Sequence, residues 1–466
     1  MATTELFRRL AAEGAMIERL SSDSRRAAPG TAFFAYPGEG ADGRAYIDDA
    51  IGRGAAAVLW EEEGFAWKSD WRVPNAPVRG LKQAAGQLAH EFYGKPSESL
   101  WMCGVTGTNG KTSCSHWVSS LLNKKQIPSR VIGTLGSGIP GTLQSAVNTT
   151  PDALEIHRLL REFVDEKAEA VAMEVSSHGL EQGRVNGVEF DCALFTNLTQ
   201  DHLDYHGSME AYGEAKARLF EMPGLGSAVL NVDDAFGARL ARRLAGRVRV
   251  IGYGRGARSA VRVEDYLSPA ALDGIATGQL GAFNVLNALG VLGCLIAYGV
   301  PRAEAAALLQ ALPPVPGRME KVAEEPLVVV DYAHTLDAIE KVLQALRPVA
   351  QKRGGRLAIV FGAGGDRDPT KRPLMGAVAR RLADQALVTS DNPRSEDPLQ
   401  IIRQIGLPDA EPDRAAAIAR AIAQAQPNDV VLIAGKGHES YQEIAGRRLP
   451  FSDAAVARAA AARRPA

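Results

Sequence analysis

The sequence predicts an α/β protein of three domains built on mostly parallel sheets. Its 466 residues correspond to about three domains at roughly 150 residues each. In the second and third parts of the chain, strand-like apolar runs alternate with helix-like stretches, which is typical of βαβ units. The 47 glycines cluster at the ends of these runs, where the loops of α/β folds bind ligands.

Composition excludes several classes of protein. Lysine and arginine total 53 against 54 acidic residues, and this balance argues against a basic nucleic-acid binder and against an acidic disordered tail. Apolar residues make up 46% of the chain, as in ordinary globular proteins. No apolar run approaches the roughly 18 to 20 residues of a membrane span. The N-terminus reads as a short amphipathic helix without a signal-peptide pattern, so we expect a cytoplasmic protein that binds neither nucleic acid nor membrane.

The four cysteines give no motif. Cys103, Cys114, Cys192 and Cys294 form no CxxC pair, and their spacing suits neither a zinc site nor a disulfide framework. All four lie in apolar or strand-like surroundings. We expect reduced, buried thiols.

The first predicted domain covers residues 1–98. Short apolar runs, TAFFAYPG and AAAVLW, are separated by turn residues, and a helix is predicted from Leu81 to Tyr93. Residues 94–97 read as a linker.

The second predicted domain covers residues 99–316 and the third covers 317–466. The second opens with a buried strand at residues 100–105 and ends in a proline-rich stretch that is unsuited to a helix. In the third, four apolar strands each end in glycine or a polar cluster, as in a doubly wound fold that binds ligands at the carboxyl ends of its strands. The alanine-rich C-terminus is predicted to be helical.

The sharpest local signal is the segment from Gly104 to Ser113, which lies between a predicted strand and a predicted helix. The backbone N–H groups of such a loop bind phosphates, with Lys111 reaching the β and γ phosphates and the Thr112 hydroxyl reaching Mg²⁺. The strict spacing fails because Val105 stands at the first glycine position. The segment is therefore predicted to be a P-loop variant with glycines at 104, 107 and 110.

Three further candidates follow in the second domain. Glu174 ends an apolar strand, which suits a Mg²⁺ ligand, although an ordinary charge at a strand end has the same pattern. Residues 197–206 contain two histidines and two aspartates, which indicates a metal or phosphate site or a solvated polar loop. Lys216 is by itself an ordinary lysine of a helix.

Polar clusters follow the predicted strands of the third domain. Arginines beside carboxylates suit bidentate capture of a small zwitterion, and acidic groups would hold its ammonium. Structural ion pairs on loops are the alternative for each cluster. The clusters lie at residues 331–334, 364–368, 371–373, 391–394 and 435–439.

Together these motifs resemble the Mur ligases, the ATP-dependent ligases of bacterial cell-wall synthesis, and within that family those that add the third residue of the peptide stem. The signature GTNGKT stands at 107–112, and SSDSR at 21–25 and GADGR at 40–44 match the uracil- and ribose-binding motifs. The resemblance covers nearly the whole chain. It implies an N-terminal domain that binds UDP-MurNAc, a central P-loop ATPase domain and a Rossmann-like C-terminal domain that binds the amino acid.

The resemblance assigns ATP and metal contacts residue by residue. Lys216 matches a carbamylated lysine (N6-carboxylysine) whose new oxygens ligate a second Mg²⁺. His202, Glu174 and Thr112 match the other metal positions, and Lys111, Glu174, His202 and Lys216 are the implied catalytic residues. The implied ATP contacts are Gly107, Thr108, Asn109, Gly110, Lys111, Thr112, Ser113, Asn284, Asn287 and Arg318.

The resemblance also assigns contacts to the UDP-muramoyl dipeptide. Short polar side chains and loop glycines of the first domain face the nucleotide end, and residues of the second domain face the peptide. The implied residues are Ser22, Ser24, Glu39, Gly40, Ala41, Asn148, Thr149, Thr150, Ser176, Gln182 and Arg184.

The sequence DNPR at 391–394 resembles the signature of family members that take meso-diaminopimelate rather than lysine. In those ligases the arginine meets the distal carboxylate, which lysine lacks, and a site built to pair a charge rejects an analogue without it. Leu336 stands where the family usually has proline, and Ser113 replaces a common threonine. The implied diaminopimelate contacts are Arg367, Asp391, Asn392, Pro393, Arg394, Gly435 and Glu439.

The implied reaction is amide formation at the γ-carboxylate of a D-glutamyl residue through an acyl phosphate, with ATP as substrate and two Mg²⁺ ions, in a monomer. His334 or a carboxylate is a candidate acceptor for the proton of the attacking amine. Three alternatives stay open: the same ligase acting on L-lysine, a ligase like folylpolyglutamate synthase, and a nucleotide-binding protein without turnover.

Overall fold

A computed structural model describes residues 3–146, 148–256, 265–272 and 280–464. The predicted contact Asn148 is exposed in a loop of the second predicted domain. The α/β class is confirmed, since helices pack on three mainly parallel sheets that follow one another along the chain. Within the described ranges, no helix is both long enough and apolar enough to cross a membrane.

The first sheet has four parallel strands in the order β1-β2-β3-β4. Every residue of the two middle strands is buried, because helices cover one face and a loop rich in tryptophan covers the other. The strands are β1 Arg19–Ser21, β2 Thr31–Ala35, β3 Ala57–Glu61 and β4 Asn75–Val78, and the helices are α1 Thr3–Ala12, α2 Ile47–Gly52 and α3 Leu81–Phe92.

Within the part of the chain that the structure describes, the central sheet has nine strands in the order β13-β12-β11-β10-β5-β9-β6-β7-β8. The strands are β5 Trp101–Thr106, β6 Ser129–Gly133, β7 Gly136–Ile139, β8 Thr142–Gln144, β9 Ala170–Glu174, β10 Cys192–Phe195, β11 Ser227–Asn231, β12 Arg249–Tyr253 and β13 Asp265–Leu267. The helices are α4 Lys111–Lys124, α5 Ala153–Asp165, α6 Ser177–Glu181, α7 Leu203–His206, α8 Met209–Ala217, α9 Ala235–Leu244, α10 Ala282–Tyr298 and α11 Arg302–Leu308.

Two antiparallel strands, β7 and β8, extend the edge of this otherwise parallel sheet. The sequence analysis did not predict them, because this glycine-rich stretch lacks the alternation of apolar and polar residues that marks a strand. The parallel strands β5, β9 and β10 lie side by side at the centre. The loops that carry the candidate site therefore leave the sheet at the same edge.

The third sheet has the order β14-β15-β18-β16-β17, with only β14 antiparallel to its neighbour. The strands are β14 Glu320–Glu324, β15 Leu327–Asp331, β16 Leu357–Phe361, β17 Gln385–Val388 and β18 Val430–Ala434, followed by the ribbon β19 Tyr441–Ile444 and β20 Arg447–Pro450. The helices are α12 Leu336–Arg353, α13 Lys371–Leu382, α14 Pro398–Ile405, α15 Arg414–Gln424 and α16 Asp453–Ala462.

The helix α10 is the most apolar of the central helices and lies against β10, β11 and β12. Its glycines allow this close approach. A Cβ atom on Gly293 would lie 2.5 Å from Cγ1 of Val229. The N-terminal turns of α10 reach the edge of the sheet where the P-loop lies.

Acid is expected to destabilise the fold through His157, a buried residue of α5. Its Nε2 lies 3.0 Å from the Asn186 carbonyl oxygen, and burial lowers the pKa of the ring to about 4. An unfolded histidine has a pKa near 6.5, so between these two values the unfolded chain binds more protons and stability falls as the pH falls. We expect this one residue to remove about 2 kcal/mol between pH 6.5 and 5.

Urea unfolding at a series of pH values measures this effect. The His157→Gln variant should show a shallower fall in the free energy of unfolding between pH 7 and 5 than the parent. An equal slope in the two proteins would contradict the assignment.

Candidate active site

The P-loop adopts a conformation that only glycine allows at two positions. The φ angles of Gly107 and Gly110 are +141° and +89°, and Gly110 directly precedes the first residue of α4. A Cβ atom on Gly107 would lie 1.9 Å from Oγ1 of Thr196, and one on Gly110 would lie 2.6 Å from Oδ1 of Asn287. The loop is therefore packed against the end of β10 and against α10.

Polar groups at the end of β10 fix the loop. The backbone N–H of Thr108 donates to the Asn197 carbonyl at 2.8 Å, and the N–H of Asn109 donates to Oδ1 of Asn197 at 3.0 Å. The Thr196 hydroxyl donates to the Asn109 carbonyl at 2.6 Å. These contacts explain why polar residues follow this strand, and they give Thr196 and Asn197 a role that the sequence did not show.

Two lysines converge on one carbonyl of the loop. The Nζ atoms of Lys111 and Lys216 donate to the Gly107 carbonyl at 2.9 and 3.0 Å, and Lys111 also donates to the Thr108 carbonyl. Burial lowers the pKa of Lys216 well below its usual value, the charge of Lys111 adds to this, and Asp201 opposes it. The geometry thus favours a neutral amine at Lys216, which is the nucleophilic form.

Glu174 is a fully buried carboxylate that hydroxyl and amide groups surround. Its Oε2 accepts hydrogen bonds from the hydroxyls of Thr112 at 2.9 Å and Thr134 at 3.1 Å, and its Oε1 accepts from the Thr134 N–H. Among the described residues, no ion pair involves Glu174. A buried carboxylate without a cationic partner next to a P-loop hydroxyl fits a site for a divalent cation.

His202 faces the same cavity from the loop after β10. Its backbone is left-handed, with φ +53°, and its Nε2 lies 3.4 Å from Oδ2 of Asp201. Partial burial lowers the pKa of the ring, and Asp201 opposes this. A neutral imidazole can ligate a metal ion, so these contacts leave that role open to His202.

The third domain completes the nucleotide side of the site. Nη2 of Arg318 lies 3.2 Å from Oγ1 of Thr112, and its guanidinium lies 4.4 Å from the centre of the Tyr332 ring. Asp337, at the start of α12, accepts hydrogen bonds from Nδ2 of Asn109 at 3.2 Å and from the Thr199 hydroxyl at 2.9 Å.

A cavity of about 420 Å³ lies between the central and third domains. It brings together the predicted P-loop contacts from Thr108 to Ser113, the metal candidates Glu174 and His202, and Arg318. Asn284 and Asn287 of α10 also line it, joined by a hydrogen bond of 3.1 Å. Lys216 lies behind the loop and reaches it through the Gly107 carbonyl.

Several residues predicted to contact the peptide form one hydrogen-bonded chain. Arg184 donates to Oε1 of Gln182 and to the Thr150 carbonyl, both at 2.8 Å. Oε1 of Glu39, from the first domain, accepts from Nε2 of Gln182 at 2.7 Å and from the Tyr205 hydroxyl at 2.6 Å. The first and central domains thus meet at these residues.

The other residues predicted to contact the UDP-muramoyl dipeptide lie around this series of hydrogen bonds. Thr150 bonds to Ser176 at 3.1 Å, and Thr149 bonds to Thr134 at 3.0 Å beside Glu174. In the first domain, Ser24 is buried while Gly40 and Ala41 are exposed, and Ser22 lies near the Tyr36 hydroxyl.

The residues predicted to bind the amino acid lie at the carboxyl ends of β16, β17 and β18. Arg394 has φ +52°, and its Nη1 donates to the Gly365 carbonyl. Nδ2 of Asn392 and Nζ of Lys436 both donate to Oε2 of Glu439, at 2.8 and 2.7 Å. A Cβ atom on Gly435 would lie 2.3 Å from Oδ2 of Asp391.

Arg372 organises this cluster although its sequence signal was weak. It is buried, binds Glu396 through both carboxylate oxygens at 2.8 Å, and donates to the Gly364 carbonyl at 3.2 Å. The Arg367 side chain is exposed beside Gly364, on the same side as Arg394. Pro393 lies between Asn392 and Arg394, and its carbonyl packs against Gly365.

Three models of known families match the chain in order. The model described as Mur ligase family, catalytic domain, matches residues 16–93. The Mur ligase middle domain matches residues 105–295, and the Mur ligase, glutamate ligase domain, matches residues 317–437.

The sequences of several ligases match almost the whole chain. The UDP-N-acetylmuramoyl-L-alanyl-D-glutamate--2,6-diaminopimelate ligase of Chromobacterium violaceum is 51% identical, over 95% of this chain and 94% of the relative. The ligase of the same name from Acidovorax is 50% identical, over 96% and 94%.

Solved structures of Mur ligases also match this fold. A structure of a UDP-N-acetylmuramoyl-L-alanyl-D-glutamate--2,6-diaminopimelate ligase superimposes with a TM-score of 0.65 at 35% identity, over 96% of this chain and 95% of that one. The MurF ligase of Thermotoga maritima with ADP gives a TM-score of 0.63 at 19% identity, over 91% and 95%. A bifunctional folylpolyglutamate synthase/dihydrofolate synthase gives 0.59 at 21%, over 76% and 91%. The last two share the fold alone.

Proposed function

The chain belongs to the Mur ligase family, and we propose that it is the ATP-dependent ligase that joins meso-diaminopimelate to UDP-N-acetylmuramoyl-L-alanyl-D-glutamate in peptidoglycan precursor synthesis. The observation that carries the proposal is about 50% identity over 95% or more of the chain with ligases named for this substrate. The cluster around Arg394 supports the choice of amino acid.

The residues of the nucleotide cavity act in the first step, in which the carboxylate is activated. ATP converts the γ-carboxylate of the D-glutamyl residue into an acyl phosphate, because a free carboxylate is a poor acyl donor. The N–H groups of the P-loop and the Lys111 ammonium hold the phosphates, with Lys111 exchanging the Gly107 and Thr108 carbonyls for phosphate oxygens. Arg318 adds a second positive charge next to Thr112.

Thr112, Glu174, His202 and carbamylated Lys216 are the residues that would hold magnesium, which we propose as two ions. The carboxylate of Glu174 supports this fit, because it is buried next to Thr112 and has no ion-pair partner among the described residues. Magnesium supplies neutralisation of the charge on the transferred phosphoryl group.

Carbamylation of Lys216 follows from the state of its amine. A neutral amine adds carbon dioxide to give a carbamate and releases one proton. The burial that lowers the Lys216 pKa favours the neutral reactant, and the product would replace a cation with two anionic oxygens that can ligate a metal ion.

The third domain is proposed to bind diaminopimelate, the substrate that carries the attacking amine. We propose that Arg394 and Arg367 pair with the distal carboxylate of diaminopimelate and that Glu439 binds an ammonium group. The attacking amine forms the amide bond with the acyl carbon, and inorganic phosphate leaves. Closure of this domain would bring amine and acyl phosphate together, which lowers the entropic part of the barrier.

The experiment is phosphate release from ATP with the UDP-muramoyl dipeptide, with meso-diaminopimelate or L-lysine as acceptor in bicarbonate buffer. We expect release with diaminopimelate and at least a hundredfold less with lysine, by analogy with sites that reject a substrate lacking a paired group. Phosphate release with lysine instead would support the assignment as a ligase but contradict the proposed contact of Arg394 with the distal carboxylate. If folded protein that binds ATP releases no phosphate with either acceptor, the result would favour a nucleotide-binding protein without turnover.

We further propose that the enzyme acts as a monomer in the cytoplasm, where ATP is available. Its partners are then the three small substrates. Light scattering at several protein concentrations checks the monomer, and a mass that rises to twice that of the chain would contradict it.

A further inference from the structure

Three of the four cysteines form one cluster in the core of the central domain. The Sγ atoms of Cys103, Cys192 and Cys294, the cysteine trio, lie within 4.8 Å of one another, and all three residues are fully buried as free thiols. Cys103 on β5 stands opposite Cys192 on β10 in the parallel register. Cys294 comes from α10, so no spacing in the sequence could reveal the cluster.

The thiols interact with one another rather than with polar backbone. The neighbouring thiols of Cys192 and Cys294 lower the pKa of Cys103 against the opposing effect of burial. Apolar residues such as Val105, Val229 and Ile251 belong to the same core. The fourth thiol, Cys114, donates instead to the Asn287 carbonyl at 3.8 Å.

The spacing of the sulfurs suits a metal ion with three ligands. Metal–sulfur bonds of about 2.3 Å in a trigonal plane place the sulfurs about 4 Å apart. The sulfurs of the trio, all within 4.8 Å of one another, lie near this spacing. Structural zinc takes four ligands, and hard cations prefer oxygen. Soft thiolate ligands select monovalent copper.

We propose that the cysteine trio is a binding site for one Cu(I) ion in the core beneath the nucleotide loop. On binding, two thiols lose their protons to solvent and form copper–sulfur bonds, and the third thiol stays protonated as a weaker ligand. The bound site then carries one negative charge. The proposal is independent of the ligase activity.

The trio joins the three elements that carry the nucleotide cavity. Cys103 stands four residues before Gly107, and Cys192 stands four residues before Thr196. Cys294 lies on the helix that bears Asn284 and Asn287. An ion that binds the folded chain and not the unfolded chain raises stability by mass action, so copper is expected to raise the melting temperature.

The experiment uses the full-length, reduced protein without oxygen, titrated with Cu(I) buffered by bicinchoninate. Samples are prepared both by native incubation and by refolding from urea with copper present, so that burial of the site does not prevent entry. We expect one Cu(I) per chain after desalting, a new near-ultraviolet charge-transfer band and a melting temperature raised by several degrees.

Variants separate the trio from general thiol binding. Cys192→Ser and Cys294→Ala should each lose at least nine-tenths of the copper, while Cys114→Ser, the matched buried thiol of the same core, should keep it. Circular dichroism and ATP binding establish that each variant is folded. Absence of copper from the refolded parent, or equal loss in Cys114→Ser, would overturn the proposal and leave the trio as packed apolar side chains.

Discussion

Replacing Glu174 with glutamine is expected to lower the rate of phosphate release by about two to three orders of magnitude, the usual effect of removing one group that stabilises transition-state charge. The carboxylate is fully buried and accepts from the Thr112 and Thr134 hydroxyls. Glutamine has nearly the same shape but no charge, and its NH₂ would face hydroxyl hydrogens. The loss should appear in kcat, measured at saturating ATP, dipeptide and diaminopimelate.

The matched control is Glu169→Gln, which removes an exposed carboxylate just before the other end of β9. It should leave kcat within twofold of the parent. ATP binding by the Glu174→Gln protein, measured by calorimetry without magnesium, tests whether the loop stays intact. A variant that binds ATP and keeps more than a tenth of the parent rate would contradict the role of Glu174.

Replacing Asp453 with alanine is expected to cost about 3 kcal/mol of unfolding free energy, because the buried guanidinium of Arg414 loses its hydrogen-bonded carboxylate and keeps only Asp391, 3.9 Å away. Arg414 and Asp453 are fully buried and make two hydrogen bonds of 2.7 Å. Arg414 also donates to the carbonyls of Ser390 and Ala434, which precede Asp391 and Gly435. Loss of diaminopimelate binding should therefore accompany the loss of stability. Urea unfolding and calorimetry measure the two effects.

Two further variants make this prediction specific. Arg381→Met breaks an exposed pair with Glu340 and should cost less than about 1 kcal/mol. The double variant Arg414→Met, Asp453→Leu should recover only part of the stability: an apolar replacement of a buried pair is often neutral, but the Ser390 and Ala434 carbonyls and Asp391 lose their cationic partner. A single-variant cost below 1 kcal/mol, or no recovery in the double variant, would contradict the account.

The sequence was sufficient to locate those parts of the candidate site that consist of consecutive residues. The P-loop, the strand that ends in Glu174 and the cluster of residues 391–394 each follow a buried apolar strand, so local pattern placed them correctly at one edge of a sheet. The alternation of strands and helices predicted the parallel centre of the second and third sheets, but not the parallel sheet of the first domain. The edge strands β7, β8, β19 and β20 were missed because short hairpins outside the core carry little periodicity.

The sequence was insufficient where the site depends on distant residues. Asn109 and Asp337 are 228 positions apart, and nothing near Asp337 marks it as a partner of the P-loop. Tyr212 lies beneath Nζ of Lys216 at 4.2 Å, yet it reads as an ordinary aromatic residue of a helix. Arg372 stood among several basic residues, and only its burial identifies it as the partner of Glu396.

Asp337 contacts the central domain and would disfavour an open arrangement of the enzyme. Its two hydrogen bonds, to Asn109 and Thr199, join the third domain to the central one. At about 1 kcal/mol each, they alone would hold a separated arrangement to a few per cent of molecules. A nucleotide entering or leaving the cavity would then use that minority, so breaking these two bonds would add to the free-energy barrier of each exchange.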